Sequence, residues 1–486
     1  MSASKALAVL DFGSVNSEAE GDLDRLFVRT SDFDKFLRPN VWLALGAKGT
    51  GKSALFELFT KFEDAARQLA GDSLNNVLIA AGTGFGDLTE VATGDLEALK
   101  SEVDGYDHDS LWRLYIAIKS GMALDSSFDV PRGPLRDLLS AVGERRDYRV
   151  GPLLRELWTL AIGKSTETVT ITAGGASISL SGGKRKLDVV TLLDDVNTAL
   201  QDKGKVLWLL FDKIDEIWPA NRIERRKALE GLMTASMHIR RTFPAIQPVV
   251  LLRTDLWGEL DFTNKDHLTD KRIELNWSQD HLVSLLLKRA LRRSEVRAYA
   301  DEAVKNLTGI EVENLSADQR LKALKTIFPA TAYPGEREAE IMDWLMERIT
   351  DGRGTALPRD TIVLANAAAD RQRDLGEVGS PALLSREAMR EAFTKTSVIR
   401  YESFLAEFPD LREHFRRFSG QTKADFSRDE ILALMDGLEP NGDTLLDRLF
   451  EIGVIRPDTG RVLTATSYEI PRLYRTGLGL VIRGRP

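Results

Sequence analysis

The chain has 486 residues, 43% apolar and 29% charged, with a formal net charge of −8 and no cysteine. That length is expected to divide into roughly two to four domains. The absence of cysteine excludes disulfides, thiolate metal sites and cysteine nucleophiles. The five histidines have no metal-ligand spacing, and no segment approaches the roughly 20 apolar residues of a membrane span.

Met1 to Lys5 lacks the basic start and apolar stretch of a signal peptide, so a cytoplasmic protein with no membrane attachment is expected. Residues 1–40 are read as a segment leading into a core over 41–275. The core opens with Val41-Trp42-Leu43-Ala44-Leu45, an apolar run that predicts a buried strand. It is followed by Gly46-Ala47-Lys48-Gly49-Thr50-Gly51-Lys52-Ser53, a complete G-x-x-x-x-G-K-[ST] phosphate loop. A helical pattern then puts Leu55, Phe56, Leu58, Phe59, Phe62, Ala66 and Leu69 on one face. Glycines in such a loop let backbone N–H groups close around phosphate oxygens. Lys52 supplies a point charge, and the Ser53 hydroxyl is placed to ligate Mg²⁺, the one metal expected.

Four more apolar runs predict strands: Val77 to Ala80, Val206 to Phe211, Pro248 to Leu252 and Ile273 to Leu275. Alternating with helices, they imply an α/β fold, a parallel sheet covered on both faces. Between them, residues of about 83–200 hold an insertion. It is read as helices at 111–118 and 153–158 and a β-hairpin of Thr168 to Thr172 and Ala176 to Leu180 around Gly174-Gly175. Leu180-Ser181-Gly182-Gly183-Lys184 imitates the signature loop of ABC ATPases. It follows a hairpin strand, however, and Asp212 is followed by Lys213 rather than Glu, which argues against that class. Past Leu275 an amphipathic helix over Asp280 to Arg293 begins a helical lid, 276–400. Residues 401–486 read as helix, helix, hairpin, with Gly453 to Pro457 turning at Asp458-Thr459-Gly460 into Arg461-Val462-Leu463, the pattern of a winged helix.

The run Val206 to Phe211 ends in Asp212, which puts a carboxylate at the carboxyl end of a buried strand, where a metal-bound phosphate tail needs it. Asp212 is the predicted Mg²⁺ partner, and Asp215 or Glu216 is the candidate to position water. Arg253 or Thr254, after the next strand, is placed to sense a γ-phosphate, against the equally weighted alternative that Arg253 pairs with Asp255. Arg359 at a predicted helix start is a second sensor candidate, with Arg353 weaker. The basic runs Arg222, Arg225, Arg226, Lys227 and Lys288, Arg289, Arg292, Arg293, Arg297 read as solvated or subunit-facing helix surfaces. From Tyr401 onward, 12 Lys and Arg face 14 Asp and Glu, so domain docking is preferred to duplex binding there.

Phe211-Asp212-Lys213-Ile214-Asp215-Glu216 resembles the D-x-φ-D-E second motif of STAND ATPases and their KAP and NACHT relatives. Lys271 to Leu275 and Pro358-Arg359-Asp360 resemble the strand-to-lid passage and sensor helix of AAA+ and STAND proteins. The opening Asp11-Phe12-Gly13-Ser14 with Glu18, Glu20 and Asp22 resembles the start of a bacterial P-loop ATPase family, some of whose members are encoded near phage-defence genes. The resemblance implies an ASCE-type sheet with the phosphate-loop strand beside the Asp212 strand, a helical lid, a winged helix, and ATP-driven closure or oligomerisation. The sequence departs from it at Lys213, a position commonly small in NACHT motifs, and in having no identifiable arginine finger. The expected function is an Mg²⁺-dependent ATP hydrolase working as a switch in antiphage defence or stress signalling, through a homo-oligomer or a separate effector. The alternative is an ATP-dependent, DNA-binding initiator-like protein using its winged helix; a third reading is a scaffold with negligible turnover.

Overall fold

A computed structural model describes residues 2–82, 107–128, 170–173, 176–179, 189–214, 222–304, 307, 309–335, 337–376 and 382–482. They form two compact units, one of Ser31–Gly46 and Lys52–Glu274, the other of Met1–Thr30, Ala47–Gly51 and Leu275–Pro486.

The first unit is built on a sheet of β1 (Leu43–Gly46), β2 (Val77–Ala81), β5 (Val206–Phe211), β6 (Ile246–Arg253) and β7 (Arg272–Glu274). Its order is β2-β5-β6-β1-β7 and every pairing is parallel. β3 (Thr170–Ala173) and β4 (Ala176–Ser179) form the antiparallel hairpin expected in the insertion, with Thr170 opposite Ser179. The predicted helix at 153–158 and the ABC-like segment at 180–184 lie outside the described residues. Around the sheet are α1 (Lys52–Thr60), α2 (His108–Ser127), α3 (Val189–Asp202) and α4 (Arg222–Thr242).

β5 explains why its strand is apolar throughout. Residues 208 and 211 differ in parity, so their side chains leave opposite faces of the sheet. Trp208 meets Phe36 and Phe59 at ring distances of 5.8 and 6.1 Å, and Phe211 meets Trp112 and Tyr115 at 5.8 and 6.2 Å. Both faces are therefore covered, as parallel sheets require. α2 falls in the stretch expected as an insertion, yet Trp112, Leu114 and Tyr115 sit in the same apolar core as the strands, and the Trp112 indole donates to Ala228 O at 2.8 Å.

The lateral order corrects one expectation. β6 lies between β1 and β5, so the strand carrying Asp212 is next but one to the phosphate-loop strand and not beside it. Buried strands of a parallel sheet are uniform apolar runs, and nothing in such runs encodes which neighbours which.

The second unit contains α5 (Gln279–Leu291), α6 (Ser294–Val304), α7 (Ala317–Ile327), α8 (Ile341–Ile349), α9 (Pro358–Leu375) and α10 (Arg386–Glu407). The amino-terminal helix Ala3–Val9 joins their core through Ala6 and Leu7, and Leu10 and Phe12 follow it inside. Here the basic run on α5 turns inward, contrary to the solvated surface expected. Arg289 donates to Phe12 O at 2.7 Å and to Glu20 Oε2 at 3.0 Å; Arg292 reaches Glu20 at 3.0 Å and also bonds Asp11, which Arg293 grips as well. Gly13, at φ 75°, is required inside this turn, since a Cβ would overlap Glu20 and Arg289.

The carboxy-terminal part has its own core of Phe404, Phe415, Phe418, Phe426 and Tyr468. β8 (Asp425–Ser427), α11 (Arg428–Leu434), α12 (Gly442–Glu451), β9 (Arg456–Pro457) and β10 (Ser467–Glu469) follow in the order strand, helix, helix, strand, strand, with an antiparallel sheet β8-β10-β9. Ser427 and Glu430 cap α11 reciprocally. The return strand of the hairpin is Ser467–Glu469 rather than the predicted Arg461 to Leu463. Asp458 accepts from the Thr466 amide and hydroxyl, and the Tyr468 hydroxyl donates to Val462 O at 2.6 Å, which closes a wider loop before pairing resumes.

Two of the arginines of this part, Arg456 and Arg472, are taken up by contacts with the preceding helical region. Gly352 N donates to Gly453 O at 2.7 Å, Arg456 to Asp351 O at 3.2 Å, and Arg472 pairs with Glu347 at 2.9 Å. Gly477 N donates to Ser397 Oγ at 3.0 Å, tying the chain's end to the middle of α10. Asp351, 2% exposed, accepts from the amides of Arg353 and Thr355, both at 2.9 Å. Burial pushes its carboxyl up to about 6 against those bonds and the nearby arginines. The folded state thus holds a proton that the unfolded chain releases, so this residue's contribution to stability is lost as pH rises from about 4 through about 6. Asp351→Asn is expected to gain stability relative to the parent across that window, by about 3 kcal/mol at most, and to run parallel to it above. Denaturant melts at a series of pH values measure the difference.

Candidate nucleotide site

The loop that follows β1 turns on two glycines, Gly49 at φ 93° and Gly51 at φ 99°, where other L-residues are strained. Thr50, 1% exposed, folds the loop on itself: its amide donates to Ala47 O at 3.2 Å and its hydroxyl to the same oxygen at 2.8 Å. The Trp277 indole N–H donates to Thr50 O at 2.9 Å. The Arg359 amide, at the start of α9, donates to Gly49 O at 3.3 Å, and a Cβ at Gly49 would come within 2.9 Å of the Arg359 Cβ. Lys48 pairs with Glu407, the last residue of α10, at 3.1 Å.

Arg359 is chemically primed. Its Nε is buried and has no hydrogen-bond partner among the described residues. Asp360, next in sequence, is buried 3.7 Å from Arg400. Burial holds the Arg359 guanidinium below its ordinary range. An anion in the loop would find here a cation not neutralised by direct pairing with an acid among the described residues.

At the sheet edge Lys52 opens α1, and its ammonium donates to Gly46 O at 2.8 Å, with Ser53 next along the helix. Arg253 is the register partner of Gly46. Its guanidinium grips Asp255 with both arms, Nε to Oδ1 at 3.0 Å and a terminal N to Oδ2 at 2.6 Å, the ion pair that stands as the alternative to phosphate sensing. Burial works to raise the Asp255 carboxyl, but Arg253 and then Lys52 hold it below the usual range. It stays a carboxylate near Lys52. The Thr254 hydroxyl is buried without a hydrogen-bond partner among the described residues.

Asp212 follows β5 at 4% exposure. Two strand spacings separate it from β1, roughly 10 Å, a gap that a hydrated ion and phosphate oxygens can fill. Lys213 has φ 57°, an unfavourable backbone for a side chain with a Cβ that costs about 1 kcal/mol. Asp215 and Glu216 lie outside the described residues. Arg353 is turned to Glu451 at 3.4 Å, in the docking contact. Sequence motifs do not reach Trp277 and Glu407 beside the loop, or give Asp255 a role of its own beside Lys52. Asp255 is legible as a neighbour of Arg253, whereas no local pattern joins Glu407 to a loop some 350 residues earlier.

A phosphate loop after the strand next to β7, with β6 between it and the aspartate-ended β5, decides the class. The fold is that of a P-loop NTPase. No protein-family model and no curated protein matches the chain. Among solved structures it is similar to the Aeropyrum pernix ORC2 protein in its ADPNP-ADP complexes, at 12% identity over 90% of this chain and 85% of that one with a TM-score of 0.41. It is also similar to the Aeropyrum pernix ORC1 protein in complex with DNA, at 13% identity over 96% and 92% with a TM-score of 0.33. A third is CDC6P from Pyrobaculum aerophilum, at 12% identity over 93% and 89% with a TM-score of 0.28. Likeness at this level says nothing of what this chain binds.

Gly49→Ala combines a forbidden backbone angle with a collision against Arg359, and is expected to destabilise the protein by about 1–3 kcal/mol. Gly51→Ala, whose Cβ would meet Trp277 at an ordinary 3.9 Å, bears the angle alone and is expected to cost less. Urea titrations of the two proteins compare them.

Proposed function

We propose that this chain is an Mg²⁺-dependent ATPase that works as a nucleotide-controlled switch. The observation that carries the reading is that the loop shaped for phosphate is held from outside by Arg359 at its Gly49 and by Glu407 at its Lys48. A triphosphate seated among the amides of residues 46–53 competes with Glu407 for Lys48. Lys52 exchanges Gly46 O for the β- and γ-phosphates, and Lys48 is drawn from Glu407. The Thr254 hydroxyl gains a partner from a γ-phosphate or its attacking water.

The residues suit magnesium. Ser53 offers a hydroxyl at a helix start and Asp212 a buried carboxylate at a strand end, a sparse oxygen set that leaves room for water and phosphate ligands. Bound there, the ion would offset phosphate charge, while Asp215 or Glu216 orients water. Arg253, engaged by Asp255, fixes the position of that carboxylate beside Lys52 and acts by positioning. The output we assign is a homo-oligomer or a separate effector protein in the cytoplasm, and the motif resemblances support bacterial antiphage defence or stress signalling as its setting. Within this reading the chain divides into a leading segment, 1–40, a core, 41–275, a lid, 276–400, and a winged helix, 401–486. Duplex binding through the last of these draws support from the order strand, helix, helix, strand, strand, but Arg456, Arg472 and Arg475 are already paired with Glu469 and Glu347.

Lys52→Ala is expected to lower ATP-dependent phosphate release at least about a hundredfold; release at the parental rate overturns the assignment. Glu407→Gln tests the switch apart from the chemistry. ATP should bind within a few-fold of the parent affinity, while the ATP-dependent change in amide exchange along 386–407 disappears. An unchanged exchange response in that variant means Glu407 transmits nothing.

A further inference from the structure

The opposite edge of the sheet holds a recess of about 280 Å³, lined by residues that the nucleotide chemistry leaves unused. Trp42 comes from just before β1, Met237, Arg240 and Arg241 from the end of α4, and His267 and Lys271 from the approach to β7. β1 and β7 run parallel, so these residues stand at the amino ends of the strands, while the phosphate loop leaves β1 at its carboxyl end. The length of the four-residue β1 alone separates the two by roughly 13 Å.

Arg240 lines the recess. Its guanidinium lies 5.7 Å from the centre of the Trp42 ring. It donates to Pro248 O at 3.2 Å, to Pro39 O at 3.2 Å and to Gln247 Oε1 at 3.3 Å, three neutral acceptors. No carboxylate is among its acceptors in the described residues, and burial without an opposing acid brings it down to about 10. A half-buried cation held by carbonyls alone stands at a cost that a bound anion would offset. Two more cations adjoin it. Arg241 is exposed, and Lys271 is half-buried with its ammonium 2.5 Å from the exposed Asp270 carboxylate. The wall beneath is apolar, formed by Trp42, Met237 and Leu268.

We propose that this recess is a second ligand site that takes a phosphate ester. Arg240, Arg241 and Lys271 hold the phosphate oxygens, and the sugar or other small body of the ester rests against Trp42 and Met237. The fixed positive charge of Arg240 beside the N–H donors of a second arginine and a lysine suits the multiple oxygens of phosphate, and the apolar wall favours an ester over the bare ion. The volume admits about one phosphate and a pentose, the repeating unit that a free sugar phosphate and a nucleic-acid strand have in common.

The test uses the full chain carrying Lys52→Ala, which disables the phosphate loop, and titrates it by calorimetry with ribose 5-phosphate, with ribose, and with a short single-stranded oligodeoxynucleotide. Ribose 5-phosphate or the oligonucleotide is expected to bind and ribose is not. Adding Arg241→Gln and Lys271→Gln, which leaves the bonds of Arg240 to its carbonyls intact, should weaken binding about tenfold or more. Binding of the sugar phosphate identifies a free ester as sufficient; binding of the oligonucleotide alone identifies the backbone of a strand. The proposal is overturned if neither probe binds at millimolar concentration, if ribose binds as well as its phosphate, or if the added substitutions leave the affinity unchanged.

Discussion

Parallel pairing forces every strand of the sheet to end at the same edge, and the candidate nucleotide site depends on that constraint. Gly46, Asp212 and the Arg253 to Asp255 group are up to some two hundred residues apart in sequence. They share an edge because β1, β6 and β5 are neighbours in one direction. The strands hold this arrangement only while both faces stay dry. The aromatic contacts of Phe36 and Phe59 on one side of β5 and of Trp112 and Tyr115 on the other are thus as necessary to the site as the charged groups. At the edge itself, polar groups gather: a threonine hydroxyl buried without a hydrogen-bond partner among the described residues, a lysine bonded to its own loop's carbonyl, and a buried carboxylate kept ionised by two cations. Groups arranged in this way are poised for an anion.

What can be read from the residues follows from how local each signal is. The phosphate loop is legible because glycine spacing, lysine and serine occupy eight consecutive positions. The strand ending in Asp212 is legible because a long apolar run closing on an acid marks the point where a buried strand reaches water. Lateral order is not legible. β5 and β6 look alike as sequences, and the placement of β6 between β1 and β5 comes from crossover connections whose course no single window contains. The pairing of Arg289, Arg292 and Arg293 with acids of the amino-terminal segment escapes the sequence for a related reason. A basic helix face reads as solvated unless the acids that meet it are recognised, and here they are Asp11 and Glu20, more than 250 residues earlier. Sequence places the hairpin's return strand too early because the side chains of Asp458 and Tyr468 stabilise a loop that hydrophobic alternation alone does not reveal.

Charge in the carboxy-terminal part carries a similar lesson. Arginines clustered near a chain's end suggest a polyanion, yet Arg456, Arg472 and Arg475 have acidic partners within the same unit. Composition counts charges without showing which are already neutralised. The opposite case is Arg240, which sits in an ordinary helix end in the sequence and in the fold is a cation held by carbonyls alone among the described residues.

The helix α10 runs without a break for 22 residues, roughly 33 Å of backbone rod. One tip is fastened to Lys48, and its midsection bears the tail of the chain through Ser397 and Gly477. In the proposed switch, release of the tip from Lys48 would be passed along the rod to the load at its middle. Stiffness of that one helix, more than any contact it makes, would then set how faithfully motion at the loop is converted into reorientation of the tail.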